Sequence, residues 1–96
     1  MAIIAQTTRF VRDLKKIPVG RKREVNGDIE LFVKNNEDPP KSLKDQKLVN
    51  QRLIMPHDGE LRCFRAGNDY RVIYDRYDNK IIFLNVMIRK DAYRKK

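Results

Sequence analysis

The chain has 96 residues, of which 41% are hydrophobic and 36% charged, and its formal net charge is +9 with an isoelectric point near 9.9. This length suits one domain with a modest core, so we expect a single domain over residues 1–96 and no deep cleft between two lobes. The positive charge favours an anionic partner: nucleic acid, an acidic protein segment or an anionic membrane surface.

The N-terminal segment is short and apolar, and it predicts a strand from Ala2 to Gln6. It is too short for a signal peptide, and no apolar run approaches the roughly 20 residues that cross a bilayer. We therefore expect a cytoplasmic protein that has no membrane segment.

Apolar residues at helical spacing then predict two helices joined by a short connector. The first helix follows Thr7, whose hydroxyl can accept a hydrogen bond from a free backbone N–H of the first turn. This helix ends at Pro18. The second begins at Gly20 and closes at Asn35–Asn36. The two apolar faces consist of Phe10, Val11, Leu14, Ile17, Val25, Ile29, Phe32 and Val33.

This helical hairpin has a basic half and an acidic half. The segment Arg9–Glu24 holds seven Lys or Arg residues and two acids, whereas Asp28–Asp38 holds four acids and one lysine. The basic half is either a solvated helix face or a surface for phosphate groups, which would bind nucleic acid by releasing counterions.

The segment Lys41–Gly59 connects the hairpin to the rest of the chain. We expect Leu43 and Leu48 to pack onto the sheet while Lys44 and Lys47 stay outside. Leu53–Met55 predicts an extra short strand or a packed loop.

Three strands and two turns follow. The strands are predicted at Leu61–Ala66, Tyr70–Tyr77 and Lys80–Met87, and the turns at Gly67–Asp69 and Asp78–Asn79, since Gly, Asn and Asp tolerate the positive φ of hairpin turns. The expected fold is α+β, a small β-α-α-β-β-β domain. Its helical hairpin packs on one face of an antiparallel-rich sheet, and the other, partly concave face carries the arginines.

Most kinds of catalytic site have no counterpart in this sequence. There is no glycine-rich phosphate loop, and one histidine with one cysteine makes a metal cluster improbable, so we expect no metal and no cofactor. His57 lies in a turn and is either a solvated residue or an acid–base group. Cys63 is expected to be a small buried apolar residue.

Cations and tyrosines remain as the candidate chemistry. They are Arg62, Arg65, Arg71, Arg89, Lys90, Tyr70, Tyr74 and Tyr93. Cations stabilise the charge that builds on phosphoryl oxygens, and tyrosines stack on unpaired bases. Such a site can cleave RNA without a metal, because RNA supplies its own nucleophile, the 2′-OH.

Three motifs resemble those of the RelE/ParE superfamily of toxins from type II toxin–antitoxin modules. Asp69–Tyr74 is similar to the strand G-D-Y-R-V-I-Y, Arg89–Arg94 to the ending H-R-R-D-V-Y-R, and Leu43–Leu48 to the segment L-K-x-x-x-L. Together with the order of the elements, the resemblance covers nearly the whole chain.

The resemblance implies a ribosome-dependent endoribonuclease that cuts mRNA. Arg71 would contact the scissile phosphate, Arg65 (or Arg62 if the register slips) would match the basic residues of the preceding strand, and Arg89 the arginine after the last strand. Tyr93 would stack on a base or assist proton transfer. The candidate RNA-binding residues are Arg62, Lys90, Lys44, Lys47 and Tyr70.

The implied partners are a cognate acidic antitoxin, the ribosome and mRNA. A DNA gyrase inhibitor like ParE and a non-catalytic basic binding module of the same fold are the alternatives. The sequence departs from the family pattern in three places. The turn Gly67–Asp69 has one extra residue, Met87 and Ile88 replace a glycine and a histidine, and the insert Gln51–Gly59 is longer than usual.

Overall fold

A computed structural model describes residues 3–47 and 60–88 of the chain. Its elements are β1 (Ile3–Gln6), α1 (Thr8–Lys16), α2 (Val19–Lys34), a 3₁₀ turn (Lys41–Leu43), β2 (Gln46–Lys47), β3 (Glu60–Ala66), β4 (Tyr70–Tyr77) and β5 (Lys80–Ile88). The helices and strands predicted within these ranges are confirmed, with ends that differ by at most one residue. Helix α2, for example, begins at Val19 rather than at Gly20.

The strands form one mixed sheet in the order β1-β5-β4-β3-β2. Strand β1 runs parallel to β5, and the other neighbours are antiparallel. The short edge strand β2 was not predicted. It exists because Gln46 and Lys47 pair with Cys63 and Arg62, which lie far along the chain.

The helix ends follow the local chemistry of the sequence. The Thr7 hydroxyl accepts the Phe10 N–H at 3.1 Å and donates to the Leu84 carbonyl at 2.7 Å, so the predicted N-cap also ties α1 to β5. Pro18 separates the two helices, and Asn35 ends α2.

The hydrophobic core lies between the helices and one face of the sheet. Phe32 of α2 is fully buried and stacks on Phe64 of β3 with ring centroids 4.2 Å apart, while Phe10 of α1 stacks on Phe83 of β5 at 5.0 Å. Leu43 is 2% exposed and joins this core, as predicted.

The turn between β3 and β4 determines which arginines share a face. Gly67 adopts φ +66°, and its N–H donates to the Asp28 carboxylate of α2 at 2.8 Å. On either side of the turn Ala66 pairs with Tyr70, and one step further Arg65 pairs with Arg71. The extra residue of Gly67–Asp69 is therefore contained within the turn.

Several expectations fall outside the residues described here: Ala2, Leu48, the insert Gln51–Gly59 with Leu53–Met55, and the C-terminal motif from Arg89 onward. Neither helix in the described ranges has the length and apolar character needed to cross a membrane.

Candidate functional site

Arg71, which the resemblance places at the phosphate, lies beside Arg65, which the resemblance matches to the basic residues of the preceding strand. Arg65 of β3 is directly opposite Arg71 of β4, and residues paired in this way point to the same face of a sheet. Their neighbours Phe64 and Val72 belong to the helix-covered core, so the alternation along each strand directs both arginines to the opposite face. Met87 of β5 pairs with Arg71 on its other side.

This pair concentrates positive charge in a partly buried position. Arg71 is only 3% exposed and Arg65 is half-buried. The buried Nε of Arg65 makes no hydrogen bond to any residue that the structure describes. Like charges directly opposite each other repel. An anion bound beside the Arg65–Arg71 pair would reduce this repulsion.

The centre of the same face is buried rather than open. Next to the arginines lie Cys63, Ile73 and Asn85, and one step further lies Asp75, and all four are buried. The burial of Cys63 confirms the expectation of a small buried residue. The sequence analysis missed Asp75 and Asn85, although a polar residue inside an apolar strand is a signal for such a position.

Arg62 lies on the other face, contrary to the expectation that the arginines share one. Its strand partner Tyr74 packs against Phe32 of α2, which puts Arg62 on the side of the helices. Its guanidinium donates to the Asp45 carboxylate, with Nη2–Oδ2 at 2.8 Å and Nε–Oδ2 at 3.2 Å, and Nε also lies 3.2 Å from the Tyr74 oxygen. The predicted role of Arg62 in RNA binding stays a prediction.

The contacts of Arg62 account for the pKa shifts in this region. Hydrogen bonding to Asp45 raises the pKa of Arg62 further above its ordinary value. Burial, reinforced by the hydrogen bond that the Tyr74 hydroxyl donates to Asp45, raises the pKa of Tyr74. The hydrogen bond from Arg62 lowers the pKa of Glu60. Two carboxylates thus balance one guanidinium, so Arg62 adds little net charge to the surface.

Lys47 and Tyr70, two other predicted RNA-binding residues, lie on the face opposite the Arg65–Arg71 pair, because their strand partners Arg62 and Ala66 do. Lys44 is exposed and has a left-handed backbone with φ 51°. The Lys47 side chain is 62% exposed, and its Nζ lies 3.9 Å from Glu60. Tyr70 is half-buried and packs against the core.

The basic half of the helical hairpin forms a separate charged surface. Its exposed cations are Arg9, Arg12, Lys15, Lys16, Arg21 and Arg23. Arg21 forms an ion pair with Asp69 of the β3–β4 turn.

The remaining predicted site residues, Arg89, Lys90, Tyr93 and His57, lie outside the described residues. In the ranges 3–47 and 60–88, no group of three or more His, Cys, Asp or Glu side chains is arranged to hold a metal ion.

Comparison with solved structures shows the same fold in toxins of known architecture. The RelE–RelB complex of Pyrococcus horikoshii OT3 contains a chain that is 23% identical with a TM-score of 0.67, and the match covers 92% of this chain and 94% of that one. The RelB–RelE antitoxin–toxin complex of Methanococcus jannaschii gives 23% identity, a TM-score of 0.68 and coverage of 96% and 98%. The E. coli DinJ–YafQ complex contains a chain that is 19% identical with a TM-score of 0.68, and the match covers 98% of this chain and 100% of that one.

At these identities the structural matches establish the fold, and the family follows from the sequence. No curated protein matched the chain. The family model described as the ParE toxin of the type II toxin–antitoxin system, parDE, matches residues 4–93. The resemblance to the RelE/ParE superfamily is thereby confirmed, and the chain belongs to the ParE toxin family of type II toxin–antitoxin systems.

Proposed function

We propose that this toxin is a ribosome-dependent endoribonuclease that cleaves mRNA. In this reaction the 2′-oxygen of one nucleotide forms a bond to the adjacent phosphorus while the bond to the 5′-oxygen breaks. One proton leaves the 2′-OH and another reaches the departing 5′-oxygen. No metal is required, because the protein needs only to orient the RNA, move these protons and stabilise the charge on phosphorus.

The observation that supports this proposal is the Arg65–Arg71 pair. The half-buried Arg65 is the more accessible of the two and would contact the phosphate oxygens first. Arg71 is 3% exposed and sits directly beside it. Its charge would act through a medium of low dielectric constant, where Coulomb interactions are stronger than in water.

The proton-transfer groups are assigned by the resemblance alone. Tyr93 would stack on a base or assist proton transfer, and Arg89 would add a third cation. His57 remains an acid–base candidate.

The test is cleavage of a translated message in a reconstituted translation system, with the cleavage sites mapped by primer extension. Removing one charge-stabilising group from a preorganised site typically lowers kcat by about 10²–10³-fold, so Arg71→Ala and Arg65→Ala should each lose at least that much. Arg23→Ala, which removes an exposed arginine of α2, is the matched control and should retain activity. Because Arg71 is buried, its replacement could also unfold the protein. A thermal melt of each variant shows whether it is folded, and Arg71→Lys keeps a positive charge at this position. Cleavage that survives both Arg71→Ala and Arg89→Ala would refute the residue assignment.

We also propose a cognate acidic antitoxin as the partner. The three solved structures compared above are complexes with RelB or DinJ, and the net charge of +9 favours an acidic segment that neutralises it. A small acidic protein encoded beside this gene should restore growth and copurify when the two are expressed together. Growth without arrest when the toxin is expressed alone would instead favour a non-catalytic binding module.

A second candidate is inhibition of DNA gyrase. It is favoured by the matching family model, which is named for ParE, and by the deep burial of Arg71. A supercoiling assay distinguishes the two functions: inhibition of gyrase by micromolar toxin, with no cleavage of mRNA, would replace the nuclease proposal.

A further inference from the structure

Lys44 occupies a backbone conformation that is unfavourable for its residue type. It follows the 3₁₀ turn with φ 51° and ψ 45°, in the left-handed region that Gly and Asn adopt more readily than other residues. Strained backbone of this kind is often retained at functional positions. The Lys44 side chain is exposed and forms no ion pair within residues 3–47 and 60–88.

The residues on either side of Lys44 are held firmly. Leu43, which precedes it, is 2% exposed and lies in the core. Asp45, which follows it, is half-buried, and its carboxylate accepts hydrogen bonds from Arg62 and from the Tyr74 hydroxyl. Arg62 and Tyr74 are strand partners on β3 and β4, so the Asp45 carboxylate joins the segment around Lys44 to two central strands.

We propose that Asp45 is a positioning residue: held by Arg62 and Tyr74, it keeps the backbone of Lys44 left-handed, so that the Lys44 ammonium group meets a phosphate of the bound RNA. This rests on the proposed function, because it assumes that RNA is the ligand. The cation that contacts RNA in this region is then Lys44, while Arg62 acts through Asp45.

Charge supports this division of roles. The Arg62 guanidinium already interacts with the carboxylates of Asp45 and Glu60, and the Lys47 ammonium lies 3.9 Å from Glu60. Lys44 is exposed, and no described carboxylate balances its charge. The electrostatic attraction of an RNA phosphate to Lys44 should therefore be stronger than its attraction to Arg62.

The test is equilibrium binding of a single-stranded RNA that carries 2′-O-methyl groups and so cannot be cleaved, measured by fluorescence anisotropy at several salt concentrations. Lys44→Asn tolerates the left-handed conformation and removes only the charge. For a single strand, one lost phosphate contact should reduce the slope of log K against log[salt] by about 0.7. Asp45→Asn should reduce the slope to the same extent, although the lysine is still present.

Two features separate positioning from other effects. Asp45→Asn makes the protein more positive, which by itself would strengthen RNA binding, so weaker binding cannot come from overall charge. The double variant Lys44→Asn/Asp45→Asn should bind no more weakly than Lys44→Asn alone, because the two act through one contact. Lys41→Gln, an exposed lysine outside the Asp45 contacts, is the charge control and should leave the slope nearly unchanged.

A thermal melt of each variant shows whether it is folded. If Asp45→Asn does not fold, Tyr74→Phe, which removes one hydrogen bond to Asp45, should show a smaller loss in the same direction. Losses that add in the double variant, or an Asp45→Asn protein that binds RNA as well as the wild type, would overturn the inference and leave the nuclease proposal intact. Failure of the wild type to bind or cleave RNA would overturn both.

Discussion

Gly67 is the residue that the β3–β4 turn can least easily replace. It adopts φ +66°, and a Cβ added there would lie 3.2 Å from Cγ2 of Val25 on α2. A left-handed conformation costs a non-glycine residue about 1–2 kcal/mol, and the close contact adds to that unless Val25 shifts. We expect Gly67→Ala to lower the free energy of unfolding by about 2 kcal/mol, which for a domain of this size lowers Tm by roughly 8–16 °C.

Urea denaturation followed by circular dichroism measures this change. Gly27→Ala is the matched control, because Gly27 lies within α2 and a Cβ added there meets nothing within 4 Å. That substitution should stabilise the protein by about 0.5–1 kcal/mol, since alanine favours helix more than glycine does. The two Gly→Ala changes should therefore have opposite signs. A Gly67→Ala protein as stable as the wild type would refute the reasoning.

Two further predictions concern the core and its polar edge. Phe32→Ala should cost about 3–5 kcal/mol of stability, because Phe32 is fully buried and stacked on Phe64. Leu31→Ala, which changes the half-exposed neighbour, should cost far less in the same urea titration, and equal costs would contradict the packing described. The second prediction is a pH dependence. Burial and Asp45 raise the pKa of Tyr74, whereas an unfolded tyrosine ionises near about 10. The folded state thus retains the proton, so this contribution to stability is complete below about pH 10 and is lost as the pH rises further. Unfolding free energies measured between about pH 8 and 11 should fall more steeply for the wild type than for Tyr74→Phe, and parallel curves would contradict the assignment.

The local elements of this protein follow from short-range signals in its sequence. Thr7 caps α1 and Pro18 separates the helices through contacts made within a few residues. Gly67 marks the first hairpin turn because it alone of the common residues adopts a positive φ without strain. The predicted bounds of β3, β4 and β5 agree with the structure to within one residue, because apolar runs alternate clearly with turn residues from β3 onward.

The faces of the sheet were harder to assign from sequence. Arg62, Arg65 and Arg71 look alike along the chain, yet Arg65 and Arg71 share the face away from the helices, whereas Arg62 lies on the other face. A shift of one residue in strand register moves a side chain to the other face, and the register depends on pairing between strands. The resemblance offered both Arg62 and Arg65 as matches for the basic residues of the preceding strand. Only the pairing between β3 and β4 showed which of them shares a face with Arg71.

The sequence by itself thus determined the order and type of the elements, the positive charge and the toxin family, because these depend on composition, periodicity and contiguous motifs. Only the tertiary structure decided that Arg65 and Arg71 meet, that Gln46–Lys47 forms a strand, and that Asp45 joins Arg62 and Tyr74. Asp45 is 17 residues from Arg62 and 29 from Tyr74. No local pattern marks such contacts, since they arise only when the core brings distant segments together.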